Sequence, residues 1–345
     1  MDLLQIYLQP YLNWIQQFKY KLKNIFVKEN AFSITLIVSI LFLIIFTVLN
    51  YLQLLQSVTA DNLAIIGQAS RWCERVSDGI FREPVNTLTN LGFMIAGLYI
   101  LYKLTNETSF NEFSGLNNIT ILYGVAVVYL GPGSMMMHAT NTEWGGWADN
   151  LSMVMYIIIP WLYNCYKMSN ANQNTFIKAY IVIVVIYSIL RWKFGYGMGI
   201  GLDLFGVSIG LWVISEFLYR FWSPYMRFLS GFIGFLVLML FGTMPNEVFL
   251  NLSDYWWIIF FWLPGLLASK RPTGMRSYRW YFAGMIAYMA AFYIWLQGNA
   301  TLNPDILTNG VCDPDSLIQA HGIWHILTAV STIFFFYHYR SERSV

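Results

Sequence analysis

The chain has 345 residues, 57% of them hydrophobic and only 11% charged, with a formal net charge of +2. A soluble domain of this length carries about a quarter of its residues as charge, so a water-soluble globule is excluded and a polytopic membrane protein is expected. The near-neutral balance gives no reason to expect a nucleic-acid partner, and Cys73, Cys165 and Cys312 stand at spacings that form neither a metal motif nor a disulfide framework.

Residues 1–30 read as an amphipathic segment lying in the interface, basic at Lys19, Lys21 and Lys23, rather than as a cleavable signal. A spanning helix needs about 20 apolar residues. The clearest candidates are 32–55, 84–103, 118–139, 145–166, 175–192, 200–221 and 316–338, with shorter ones at 228–243, 255–269 (interrupted by Pro264) and 279–297. Residues 31–57 thus form the first span, and the remaining candidates fall within 70–340. Lys19 to Lys28 put the N-terminus in the cytoplasm, and ten crossings bring Lys167, Lys178, Arg220, Arg227, Lys270, Arg276 and Arg340 to that side. Arg191 and Lys193 are exceptions on the far face. Cys73 and Cys312 share that far face, where a bridge is open to them, although the free-thiol reading is preferred. Short loops and the lack of a retention signal point to a bacterial inner membrane.

Span counting brings distant polar residues to one depth. His138 closes GPGSMMMHAT at 131–140, four residues after Ser134; Asp149 follows eleven residues later; His321 and His325 open the last helix. Residues four apart share a helix face, so His321 and His325 can hold one metal ion, with His138 as the third nitrogen. Three protein ligands leave a zinc ion a fourth position for water. Asp149 is then placed to act as general base and Ser134 to donate to a developing oxyanion, which makes a metal-dependent amide or ester hydrolase at the bilayer edge. Taken singly, each residue has a plainer reading: a helix–helix hydrogen bonder for each histidine, a packing residue for Ser134, an N-cap for Asp149, interfacial belts for Trp144 and Trp147. Haem ligation is a rival use of the histidines, disfavoured because His321 and His325 lie on one face. Glu74, Asp78 and Glu83 supply oxygen for calcium or, as spacing alone favours, cap the helix that begins at Pro84. Asn86 and Asn90 are placed to brace neighbouring helices.

The runs WCE at 72–74, EPVNTLTN at 83–90, GPGSMMMHAT at 131–140 with Asp149 beyond it, and QAHGIWHIL at 319–327 resemble the alkaline ceramidase family, within the membrane hydrolase superfamily that includes the adiponectin and progestin receptors. The resemblance implies an all-α bundle with a seven-helix core, to which this chain adds an N-terminal span and an inserted pair between 168 and 315. It also implies zinc on His138, His321 and His325, with Ser134 and Asp149 assisting cleavage of the N-acyl bond of a sphingolipid to a fatty acid and a long-chain amine. A calcium site on Trp72 (through its carbonyl), Glu74 and Glu83 is implied as well. Departures fall there: Arg71 replaces a family carboxylate, Val76 replaces an amide ligand, and the segment from Glu74 to Glu83 is about two residues shorter. The active site is expected to face the non-cytoplasmic side and to meet a membrane lipid. A lipid-sensing receptor on the same scaffold is the alternative.

Overall fold

The computed structural model describes residues 30–55, 66–299 and 312–344. The interfacial segment expected at the N-terminus therefore lies, apart from Asn30, outside the described residues. Among the described residues, five helices are long and apolar enough to cross a membrane. The first, α1 (Ala31–Tyr51), buries only Ser39, Phe46 and Asn50 and exposes Ile37, Val38, Ile44 and Ile45. So apolar and so exposed a helix has lipid as its solvent.

Seven further long helical elements follow, four of which meet the same criterion of length and apolarity. The first, Pro84–Thr105, is two pieces jointed at Asn90: α2 (Pro84–Thr89) and α3 (Leu91–Thr105). Pro84 opens it at the position where a missing N–H is not felt. Helix α4 (Asn118–Thr140) begins at a capping box between Asn117 and Thr120. It ends at Asn141, which takes the left-handed conformation (φ 49°, ψ 47°), and Thr142 then caps α5 (Glu143–Lys167) by accepting the Gly145 N–H at 3.2 Å. This two-residue turn folds α5 back along α4. Close approach requires Gly133, where a β-carbon would stand 2.4 Å from that of Ser152. Then come α6 (Gln173–Phe194) and α7 (Leu204–Arg220).

The inserted pair is realised as two shorter apolar stretches. Pro224–Leu240 contains α8 (Pro224–Leu229) and α9 (Ile233–Leu240). After the short α10 (Pro245–Leu250), Trp256–Leu267 is mostly a 3-10 stretch followed by α11 (Leu263–Leu267), with Pro264 in its first turn. At about 2.0 Å per 3-10 residue and 1.5 Å per α residue, this second stretch reaches only roughly 20 Å. Then come α12 (Tyr278–Gln297) and α13 (Ala320–Arg340).

At one end of the bundle a buried charge cluster ties these elements together. Arg276 donates to Glu342 (2.8 Å) and to Asn164 (2.6 Å), and Glu216 pairs with His338 at 2.8 Å. The strands β1 (Gly274–Met275) and β2 (Arg343–Ser344) pair antiparallel beside it. His338 lies thirteen residues beyond His325, about 20 Å along α13, and so has no part in the other histidine group.

Candidate metal centre

The first two turns of α13 present His321 and His325 on one face, with ring centroids 4.6 Å apart. The last turn of α4 brings His138 against them, 4.7 Å from His321 and 5.3 Å from His325. All three are buried, and one nitrogen of each lies within 4.8 Å of the others. Among the described residues this is the one such group of histidine, cysteine or carboxylate side chains.

The loop before α2 determines how His138 is held. Its backbone is stitched to the end of α4, Glu83 N–H to the carbonyl of His138 at 2.9 Å and Arg82 N–H to that of Ala139 at 3.0 Å. Glu83 thereby meets His138: its Oε2 lies 2.8 Å from Nδ1 and also accepts from Asn86 at 2.9 Å. A carboxylate can only accept, so Nδ1 carries the proton and Nε2 is a bare lone pair. His325 follows the same logic. Its Nδ1 lies 3.0 Å from Thr89 Oγ1, and that hydroxyl already donates to the carbonyl of Val85 at 2.9 Å, so Nδ1 is the donor here and Nε2 is bare. The Nε2 atoms of His138 and His321 face each other at 3.1 Å. His321 is flanked by the stacked Trp72 indole at 4.4 Å, and its Nδ1 is buried without a partner. A proton on His321 Nε2, or a cation held between the rings, satisfies this approach. Three imidazole nitrogens, one backed by a carboxylate and one by a hydroxyl, fit the donor set and orienting shell that a zinc ion takes.

Ser134 and Asp149 are brought to the same place. Ser134 Oγ is 3.5 Å from His325 Nε2, one turn below His138, and the Asp149 carboxylate lies within reach of that hydroxyl and in the field of His138. Thr142, not Asp149, caps α5, which removes the plainer reading of the aspartate. Trp147 donates to the Ser188 carbonyl at 3.0 Å and packs edge-on against Trp192, joining α5 to α6.

Glu74 and Glu83 turn out to have partners other than calcium. Both oxygens of Glu74 accept N–H groups at the start of α2, from Val85 at 2.6 Å and Asn86 at 2.8 Å. This is the capping role that spacing favoured. Burial pushes its carboxyl up to about 6 even though those two donors pull the other way. Glu83 backs His138, and Trp72 contributes its ring to His321. Asp78 faces outward to Arg82 at 3.2 Å. Sequence reasoning missed the Glu83–His138 and Thr89–His325 contacts; the only signal was EPVNTLTN, whose 83, 86 and 89–90 positions share a helical face.

The free-thiol reading of Cys73 and Cys312 is overturned, since the two form a disulfide. The loop before α2 lies along residues 312–315, with the Arg75 N–H on the Pro314 carbonyl at 2.9 Å and the Arg75 guanidinium on both oxygens of Asp315. That pairing brings the sulfurs together. Cys165 is buried and free.

A cavity of about 740 Å³ opens from the histidines into the bundle. Ser134, Asp149 and the three histidines line its polar end; Phe335, Val237 and Phe261 line its apolar depth, the last two from the inserted pair. A family model described as Ceramidase matches residues 66–344, which include every residue of this centre. No curated protein matches the chain.

Proposed function

The chain belongs to the ceramidase family, and on that premise we propose that it is a zinc-dependent integral-membrane hydrolase. In this reading it cleaves the N-acyl amide bond of a ceramide-like lipid, giving a fatty acid and a long-chain amine. The observation that carries the reading is the convergence of three imidazole nitrogens, two of them left as bare acceptors by the bonds that their rings' Nδ1–H groups make, at the polar end of an apolar cavity.

His138, His321 and His325 hold the ion; when bound, zinc supplies Lewis acidity and a water of pKa near 7. Glu83 and Thr89 fix two of the rings and Trp72 covers the third. Asp149 accepts a proton from the attacking water and returns it to the amine nitrogen as the C–N bond breaks. Ser134 donates to the carbonyl oxygen as that atom gains negative charge. The apolar depth of the cavity takes an acyl or alkyl chain and keeps bulk water from the reacting carbon. Glu83, bonded within the shell of His138, is a positioning residue in this scheme.

The site faces the non-cytoplasmic side of the membrane, as the charge distribution favours, and a disulfide beside it suits an oxidising compartment such as a periplasm. A sensor built on the same scaffold would bind lipid without turnover. The test is elemental analysis of purified protein together with turnover of a labelled ceramide. About one zinc per chain, and activity lost in His321→Ala, support the proposal. A chain that holds zinc and lipid but releases no fatty acid would be a sensor, and one that holds no zinc would end the metal reading.

A further inference from the structure

Two cations on the rim of the cavity have no place in the scheme above. Arg71 precedes the Trp72 that covers His321, and Arg191 lies in the last turn of α6; both line the same cavity as Asp149 and the histidines. Arginine is disfavoured on the non-cytoplasmic face; of the others there, Arg75 pairs with Asp315 and Arg82 with Asp78. The geometry points to Arg71 and Arg191 as the receptor for an anionic headgroup, so that the lipid cleaved here is an N-acyl lipid carrying a phosphate or comparable anion. This rests on the hydrolase reading and names its substrate class.

The local contacts favour a ligand role over a structural one. Arg191 uses its Nε on Asn150 at 2.8 Å, an arrangement that aims the guanidinium while leaving both terminal nitrogens for another acceptor. Arg71 lies over the Trp72 indole, its guanidinium carbon 4.4 Å from the ring centroid. The nearby carboxylates have other duties: Asp203 caps α7 through the Phe205 N–H at 3.1 Å and meets Tyr196, and Glu83 holds His138. Asp149 feels both arginines, and Glu83 acts on Arg71 as well, so an incoming anion meets two guanidiniums drawn toward one acidic side chain. Planar, multidentate donors of this kind match phosphate oxygens. Lys193 makes the contrast. Two residues further along the same helix end, it lies against Phe194 and lines a separate pocket beside Trp147 and Trp192, where its charge suits the helix C-terminus.

The test compares ceramide with the same ceramide phosphorylated at its terminal hydroxyl, using the purified zinc-loaded protein in neutral phosphatidylcholine vesicles and in vesicles containing phosphatidylglycerol. Expected is a kcat/KM at least tenfold higher for the phosphorylated lipid in neutral vesicles. That preference should fall at least tenfold in the double variant Arg71→Gln/Arg191→Gln, through KM more than kcat. It should be partly restored in Arg71→Lys/Arg191→Lys and unchanged in Lys193→Gln. Equal turnover of the two lipids overturns the inference and leaves the hydrolase reading standing. The inference is equally overturned if phosphatidylglycerol stimulates neutral ceramide cleavage through the arginines while no substrate preference exists, because the anion bound would then be bulk lipid. No turnover of either lipid sinks the hydrolase reading, and the inference with it.

Discussion

Glu83 and His138 are each only 1% exposed and meet at 2.8 Å, which makes Glu83→Gln the most informative single change in this molecule. A glutamine carbonyl at the Oε2 position keeps the bonds to His138 Nδ1–H and to Asn86, so the substitution removes charge and leaves shape and packing in place. A hydrogen bond to a charged partner contributes about 1.5–3 kcal/mol and a neutral one about 1. The difference, roughly 0.5–2 kcal/mol, corresponds to about a 2- to 30-fold loss in affinity for whatever His138 binds, overlapping the 10- to 100-fold typical of orienting partners at metal sites. Competition against a chromophoric chelator at fixed pH measures this directly, with Glu74→Gln as the comparison that disturbs the neighbouring cap but not the ring. The metal-free Glu83→Gln protein should melt within a few degrees of the metal-free parent. A zinc affinity within twofold of the parent would refute the reasoning, because it would mean that the carboxylate does not tune His138 at all.

Ser134→Ala should keep its zinc and lose about 10²- to 10³-fold in kcat, the effect of removing one oxyanion donor; full activity would remove that role. Asp149→Asn should likewise retain metal and lose about 10²- to 10⁴-fold, and an unchanged rate would send the search for the base elsewhere. Phe261 is buried where α7 and α9 approach, against Gly210 and Gly234, and closes the apolar depth of the cavity. Phe261→Ala should shift preference toward longer acyl chains in a chain-length series, and an unaltered profile would mean that the chain lies elsewhere. Acid stability should follow Glu342. Burial pushes its carboxyl up, but Arg276 and Lys167 (2.7 Å) prevail and hold it below the usual range. A carboxyl depressed in the folded state contributes stability above about pH 4.5 and loses it as pH falls through the lower folded value. Melting temperature should therefore drop on acidification below about pH 4.5, and drop less in Glu342→Gln; identical curves would remove Glu342 as the cause.

The histidine group was legible because two of its members share one helix at a four-residue spacing and the third is placed by counting spans, so periodicity and parity together brought them to one depth. The same arithmetic located Ser134 and Asp149. Contacts between elements were not legible. Glu83 and His138 are separated by 55 residues and Cys73 and Cys312 by 239, and no local pattern reports that a loop lies back across the ends of α4 and α13. Acidic residues before a helix look alike whether they cap it, bind an ion or support a histidine; only the partner distinguishes them. The inserted pair was visible as apolar sequence, but its length depends on 3-10 winding around Trp256–Trp262, which hydropathy does not sense.

The Cys73–Cys312 bridge gives the protein a history as well as a shape. It staples the residue beside the aromatic cover of His321 to the segment that leads into the final helix. The cover can be locked down only after the last part of the chain has been made and both thiols have reached an oxidising environment. A nascent chain still threading through the insertion machinery has no finished catalytic pocket, so maturation and delivery to the proper face of the bilayer become a single event.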